Sequence, residues 1–350
     1  MSTSSSSQNS NGLMKGLFFD GFIFSFFALV TLTLAVQPNE EQMLRLGLNS
    51  LIYLGLFIAG SAGAFLLKKI KVHTLGQQLF EPAYLRASQE EKPLLKSFWG
   101  WQLLTFLFVT FVVGLVKTKF SIYEITDEDG FAGAVRLFQG MLNPNFDILP
   151  RAVLNVIETI FMAFIATILA IPFAFILSFL CAKNIMNGPF AFPIYLALRT
   201  LLNLIRSIEA LVWAIIFSVW VGIGPFAGML ALMIHSIASL AKQYSEMVET
   251  VNEGPIEGIA STGATQLQVI WFAIVPQVIL PYISFTVYRW DINVRMATII
   301  GLVGGGGIGT MLILYQGQAM WSEVGCIILV IASVVWAMDQ ASALIREALK

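Results

Sequence analysis

From residue 153 to residue 182 the chain runs for thirty positions with a single charged side chain, Glu158. A helix needs about 20 apolar residues to cross the hydrocarbon layer of a bilayer, so such a run reads as a span. Similar runs recur at 18–36, 48–67, 98–116, 207–223, 226–241, 281–303 and 323–343, which makes eight. Only helices and closed barrels satisfy every backbone group in lipid, and these continuous runs lack the alternation of barrel strands. The expectation is an all-α polytopic membrane protein. Composition agrees, with 57% hydrophobic and 12% charged residues and a mean hydropathy of +0.79, against about 25% charged in soluble domains.

Several classes of function drop out at once. A net charge of -1 gives no footprint for nucleic acid. Cys181 and Cys326 lie in apolar runs without CxxC spacing, and His73 and His235 are too far apart in sequence to suggest a metal centre. The pattern G-x-G-x-x-G occurs at Gly304, Gly306 and Gly309. It follows a membrane span rather than a soluble strand, and the next acid is Glu323, so the dinucleotide reading fails. No G-x-x-x-x-G-K-[ST] phosphate loop is present either.

The Ser/Asn tract MSTSSSSQNSNG cannot bury a core and predicts a disordered tail over 1–16. A signal peptide is poorly supported, because only Lys15 precedes the first run and Asp20 interrupts its start. With both termini cytoplasmic, inward segments hold thirteen Lys and Arg and outward segments five, which favours that orientation. The outer stretch from Lys117 to Arg151 separates a front section from a denser block of five spans. The chain therefore divides into the tail, an additional hairpin and cytoplasmic loop over 17–97, a helix and outer segment over 98–152, and a core over 153–350. No internal repeat is strong enough to suggest a fold of two similar halves.

Between the sixth and seventh runs, over 243–276, lies an inward segment unlike a simple connector. Pro255 suits the first turn of a helix, Glu257 favours its N-terminal dipole, and Gly263 can end it in a left-handed turn. A second amphipathic run, Gln266 to Ile274, leads to Pro276. Two short helices across the cytoplasmic face are expected. On a continuous helix, Glu246, Glu249, Glu253 and Glu257 would form an acidic stripe, which is usually a solvated face.

Glu257, Gly263 and Pro276 match three anchors of the EAA loop of ABC importer permeases: Glu, Gly six positions later, and Pro thirteen beyond. A random chain of this length would show that triple about 0.07 times. Gly258 and Ile259 stand where that motif has two alanines. NPNFDILPRAVLNVIETIFMAFIATILAIPFAFILSF, LLNLIRSIEALVWAIIFSVWVGIGPFAGMLAL and PYISFTVYRWDINVRMATIIGLVGGGGIG extend the likeness. From about Phe98 onward the chain resembles the permease subunit of phosphonate/phosphite-type ABC importers. That family commonly reads RS-x-PELVWA, whereas here Arg206 and Ser207 are followed by Ile208 and Glu209, without the proline.

The resemblance implies a five-span permease core, no enzymatic role, and no cofactor on this chain, with ATP and Mg held by separate ABC ATPase subunits. Glu257, Gly258, Ile259, Gly263 and Pro276 would form the loop that seats against the ATPase. It further implies an extracytoplasmic substrate-binding protein, a second permease copy and a prokaryotic inner membrane. The cargo would be a phosphonate or a related phosphorus oxyanion such as phosphite or a phosphate ester. A permease for another small solute, or an ion-coupled secondary transporter, is the alternative. A membrane-embedded enzyme would need convergent nucleophile or metal residues, and His235 stands isolated.

Within the seventh run, Arg289, Asp291 and Arg295 cannot face lipid, since each would cost about 2.5–3.5 kcal/mol at mid-membrane. Asp291 and Arg295 have the spacing and order of an intrahelical ion pair, whereas Arg289 has no local acid. Two readings stay open: a positive lining for an oxyanion passage, since guanidinium matches phosphoryl oxygens, or a buried network that fixes packing. Gly304, Gly305, Gly306 and Gly307 should break the span near its outer end, as each glycine costs a helix about 1 kcal/mol relative to alanine. Such a break must be covered by protein or line the passage, as an outer gate or a helix crossing.

Overall fold

The computed structural model describes residues 3–36, 46–70, 72–80 and 93–349. The chain separates into two compact units, Met1–Thr126 and Asp127–Lys350. The apolar helix after residue 97 thus belongs with the N-terminal unit, rather than opening a segment that runs on to 152.

In the first unit, α1 (Thr3–Val36) packs against α2 (Leu46–Lys69) and the short α3 (Leu75–Phe80). The Ser/Asn tract expected to be a disordered tail forms the first turns of α1. Serine and asparagine cost only tenths of a kcal/mol each when a long helix is already nucleated beyond them. Small residues set the crossings: a Cβ on Gly60 would lie 2.8 Å from the Gly21 carbonyl, and one on Gly16 would lie 2.9 Å from that of Gly76. The fourth helix, α4 (Phe98–Lys117), starts at Ser97, whose hydroxyl accepts from the Gly100 amide. A five-residue helix, α5 (Ile122–Thr126), ends the unit. Expected connecting segments at 37–45 and 81–92 lie outside the described residues.

Asp20 is the hub of this unit. It is fully buried, and its carboxylate accepts from the Gly76 amide at 2.8 Å, the Gln102 amide at 3.2 Å and the Thr74 hydroxyl. Gln102 in turn accepts from the Leu75 amide at 3.0 Å. An acid that interrupts an apolar run in the sequence therefore accepts from one free N-terminal amide of α3, that of Gly76, while Gln102 takes that of Leu75, and the network ties α1, α3 and α4 together.

The second unit opens with the outer helix α6 (Glu128–Leu142), capped by Asp127. A 3₁₀ turn, Phe146–Ile148, leads into the long α7 (Leu149–Leu180). Then come α8 (Ala191–Ser207), α9 (Ala210–Val221), α10 (Pro225–Glu249), α11 (Glu253–Ala260) and α12 (Gln266–Val269). A π-helical turn, Ile270–Ile274, joins α12 to α13 (Val275–Gly301), followed by α14 (Gly307–Gly317) and α15 (Trp321–Ala348). Among the described residues, five helical stretches are long and apolar enough to span a membrane: Phe98–Lys117, Phe146–Leu180, Pro225–Glu249, Gln266–Gly301 and Trp321–Ala348. The expected span 207–223 is corrected. Its 12-residue α9 is too short to cross alone, and it joins α8 through an 89° bend to make one broken span.

The core of this unit is the parallel pair α7 and α10, whose N-terminal halves meet at Met162 and Gly228 and whose C-terminal ends meet at Asn184 and Val248. Ala163, Ala166, Ala170 and Ala174 on α7, and Ala227, Ala231, Ala238 and Ala241 on α10, are all buried. Small side chains let helix backbones approach closely where lipid supplies no hydrophobic drive for association. α13 then locks onto both with hydrogen bonds. Tyr244 and Tyr282 stack with ring centroids 3.8 Å apart, and each hydroxyl donates to the other's carbonyl at 3.2 Å. The Tyr282 hydroxyl, with one proton to share, also lies 3.0 Å from the Ser178 hydroxyl.

Asp20→Ala leaves three donors unpaired and is expected to destabilise the N-terminal unit by about 2–4 kcal/mol. Asp20→Asn, which keeps an acceptor, should lose about half as much. Thermal unfolding of the purified chain in detergent checks the order; equal stability of all three proteins would contradict it.

Candidate functional site

α11 is a helix of eight residues at the turn between α10 and α13. Its N-terminus carries Glu253, with Pro255 in the first turn, where a missing amide proton costs nothing. After Ala260 the chain turns, and Gly263 adopts φ +81° while its amide donates to the Ala260 carbonyl at 3.0 Å. The left-handed turn expected at Gly263 is present. Ile256 packs into the core, whereas Glu257 and Gly258 are exposed and Ile259 is half-buried. α11 is pinned by Gln277 on α13, which accepts from the Asn252 amide at 3.0 Å and donates to the Ala273 carbonyl at 2.8 Å.

Two expectations for this segment are corrected. The second short helix does not lie separately across the face: Gln266 onward runs into α13 as one stretch to Gly301. Pro276 does not stop it, because the π turn just before it shifts the ladder, the Val275 amide reaching back to Ile270. The acidic stripe is also absent, since the helix breaks at Thr250–Asn252 between Glu249 and Glu253. Glu246 pairs with Lys242 at 3.7 Å. Glu249 pairs with Arg199 at 2.7 Å and accepts from the Lys183 amide at 2.9 Å. Leu267, Trp271 and Phe272 are exposed beside α11.

The charges of α13 fall into two clusters. Asp291 is buried and bonds to Arg295, as its spacing predicts, and Arg295 also reaches Asp339 on α15 at 3.4 Å. Arg289 faces the other way. Its Nε donates to Ser236 at 3.1 Å and its Nη2 to His235 Nδ1 at 2.5 Å. Asn293, one turn on, donates to both Ser236 and Thr167 at 2.8 Å. With Nδ1 accepting, the other His235 nitrogen carries the proton, and the ring lies against the Arg206 backbone at the end of α8. One polar chain thus links α7, α10, α13 and the broken span. His235 serves as a hydrogen-bonding bridge within it.

The glycine run is a helix crossing buried in protein. Gly304, Gly306 and Gly307 have φ of +90°, +80° and +67°. A Cβ on Gly306 would lie 2.5 Å from Pro225, and one on Gly307 2.3 Å from the Thr159 hydroxyl. Thr159 accepts from the Ile308 amide at 2.9 Å, and Thr310 donates to the Gly301 carbonyl at 2.9 Å, so side chains satisfy the broken ladder. α14, an apolar helix after the break, has no counterpart among the expected runs; at 11 residues it is too short to stand out as a span.

Among the described residues, no group of three or more His, Cys, Asp or Glu is placed to hold a metal ion. Cys181, past the inner end of α7, is buried, and burial pushes its thiol up, away from a reactive thiolate.

This geometry is a short exposed helix braced on a bundle whose spans are broken twice, and comparison with known proteins places it. Residues 174–349 match the binding-protein-dependent transport system inner membrane component family. The chain belongs to this family. It is 34% identical to the phosphite transport system permease protein PtxC of Stutzerimonas stutzeri over 63% of its own length and 80% of that protein's. It is 32% identical to the phosphate-import permease protein PhnE of Mycolicibacterium smegmatis, over 62% of this chain and 40% of that one. A solved chain of the MetNI methionine ABC transporter, inward facing, shares the fold at 21% identity with a TM-score of 0.51, covering 59% of this chain and 99% of that one. The protein is therefore a multi-pass inner-membrane transport subunit that works with a binding protein.

Two glycines in the permease segment should respond to alanine with opposite signs. At Gly258 a Cβ meets nothing within 4 Å, whereas at Gly309 it would lie 2.0 Å from the Thr298 carbonyl and 2.8 Å from the Gly301 Cα. Gly258→Ala should stabilise α11 by about 1 kcal/mol, read as slower amide exchange over 257–263. Gly309→Ala should destabilise the bundle by about 1–3 kcal/mol, read as a lower Tm; the same sign for both would be inconsistent with this packing.

Proposed function

We propose that the protein is the permease of an ATP-driven importer for a phosphonate or a related phosphorus oxyanion, such as phosphite or a phosphate ester. Two copies form the passage, both termini are cytoplasmic, and an extracytoplasmic binding protein delivers cargo to the outer face. ATPase subunits, which hold the ATP and Mg, seat against α11 and its flanks, with Glu257, Gly258, Ile259 and Gly263 as the contact surface and Pro276 at the root of the adjoining span. The names of the relatives support the cargo class. The observation that carries the mechanical reading is the exposed α11, joined to α10 by three residues and clasped to α13 by Gln277.

Transport then needs no chemistry on this chain. ATPase closure displaces α11, and α10 and α13 follow because they are tied to it covalently and through Gln277. Arg289 lends positive potential from behind the passage wall, its guanidinium already held by Ser236 and His235. Asp291 and Arg295 brace α13 against α15 through Asp339. Gly304 to Gly307 let the outer ends of α7, α10 and α13 pack closely enough for small tilts to open or seal the outer mouth.

The test is reconstitution of the chain with its cognate ATPase and binding protein in vesicles. Phosphite or methylphosphonate uptake should require ATP and be blocked by vanadate. Glu257→Lys should weaken ATPase co-purification by about tenfold or more, the scale of a charge reversal at an interface, while membrane insertion is unchanged. Uptake by the chain alone, driven by an ion gradient, or unaltered ATPase capture by the variant, would overturn the reading.

A further inference from the structure

The broken span α8–α9 carries two charges that its own architecture does not use. The 89° bend lies at Ile208–Glu209. Its depth follows from His235, the eleventh residue of α10, which neighbours Arg206. At 1.5 Å per residue His235 is about 15 Å from the outer end of α10, half-way through a hydrocarbon layer of about 30 Å. Among the described residues the charged side chains make no bond to the freed backbone. The Trp213 indole donates to the Ile205 carbonyl at 3.3 Å, and His235 lies against the Arg206 backbone. The Arg206 guanidinium and the Glu209 carboxylate are exposed and have no hydrogen-bond or ion-pair partner among the described residues. Their electrostatic neighbours are His235 for Arg206 and Arg289 for Glu209.

Two unpaired charges at this depth would each cost about 2.5–3.5 kcal/mol against lipid, so they face water. α8 shows which way that water runs. At 100° per residue, Arg199, Thr200, Asn203, Arg206 and Ser207 fall on one face. Leu202 is buried on a second face, and the exposed Leu201 and Leu204 lie on a third. The polar face begins at Arg199, which is paired with Glu249 at the end of α10 that leads to α11, and finishes at the bend. A strip of this kind on one helix of a broken span is a half-channel from the α11 side to mid-membrane.

We propose that this bend is the oxyanion-contacting point of the passage: the Arg206 guanidinium takes phosphoryl oxygens of the passing cargo, with Asn203 and Ser207 completing its hydration. The inference rests on the proposed importer role for its cargo class, though not for the water-filled path. Arg206 and Arg289 against Glu209, with His235 neutral, leave the site with one net positive charge. That suits an anion that must enter and leave, since a passage works only if binding is weak enough to release. Arginine is the residue for this contact because its planar fork matches two oxygens at once.

The test uses the full transporter, with ATPase and binding protein. Asn203→Cys and Ser207→Cys should react with a membrane-impermeant anionic thiol reagent from the α11 side, while Leu201→Cys on the same helix does not; the native Cys181 and Cys326 are buried. Arg206→Gln should lower phosphite uptake by about tenfold or more, with Arg206→Lys intermediate, while binding-protein-stimulated ATP hydrolysis stays within about twofold. No reaction at positions 203 and 207, as when a second copy packs over them, overturns the proposal whatever the cargo. Full phosphite uptake by Arg206→Gln overturns the anion contact. Reactive cysteines in a wild-type transporter that moves neither phosphite nor methylphosphonate support the path and overturn the cargo class.

Discussion

A helix that stops inside a hydrocarbon layer releases amides and carbonyls that lipid cannot satisfy. This chain stops twice in its second unit, and much of its polar chemistry answers those two breaks. At Gly301–Gly307, Thr159 and Thr310 supply the missing partners, and glycine lets three backbones meet where any side chain would collide. At Ser207–Ala210, the Trp213 indole covers the Ile205 carbonyl and His235 lies against the Arg206 backbone. Side chains so committed cannot be placed freely. His235 accepts from Arg289, which also holds Ser236, and Ser236 in turn accepts from Asn293.

The same constraint explains which features could be read from the sequence. Spans such as 153–182 and 323–343 are legible because an unbroken apolar run has one solution in lipid. α11 is legible for a different reason: Pro255 and Gly263 each have a local cause, independent of what packs around them, although the helix starts at Glu253 and so puts Glu257 past the first turn expected for it. α8 was not legible as membrane-embedded, because Arg199, Asn203 and Arg206 give it the periodicity of a surface helix. Its place depends on partners far along the chain, Glu249 for Arg199 and the α10 and α13 side chains that pack on Leu202. Pro276 misled in the opposite direction. A proline normally ends a helix, but a π turn absorbed it, and that turn depends on Gln277 and the docking of α11.

Buried charge divides in the same way. The Asp291–Arg295 pair follows from spacing within one helix, while the links to Asp339, Ser236 and His235 need the bundle to exist. Asp20 is the clearest case in the first unit. In the sequence it is a blemish in an apolar run; in the fold it caps α3 through an amide more than fifty residues away. An isolated acid in an apolar run has to find donors, and the nearest unsatisfied ones are at helix N-termini.

The end of the second unit that carries α11 has a different character from these rigid breaks. Glu249, the last residue of α10, holds the Arg199 guanidinium and the Lys183 amide, so one carboxylate joins the feet of α7, α8 and α10 three residues before α11 begins. Both ionic partners are about a quarter to a third exposed, so water screens the pair and its contribution is about 1 kcal/mol rather than that of a buried bridge. A tie of that strength keeps α8 registered on α10 yet can break and re-form in ordinary thermal motion. The Arg289, Ser236 and Asn293 side chains beside the bend are buried among α7, α10 and α13, where their hydrogen bonds are less screened than the ion pair at the foot. On the proposed coupling, force applied at α11 would meet a compliant foot and a stiffer mid-membrane hinge, and α8 would then pivot about Arg206 instead of sliding, its polar face turning with it.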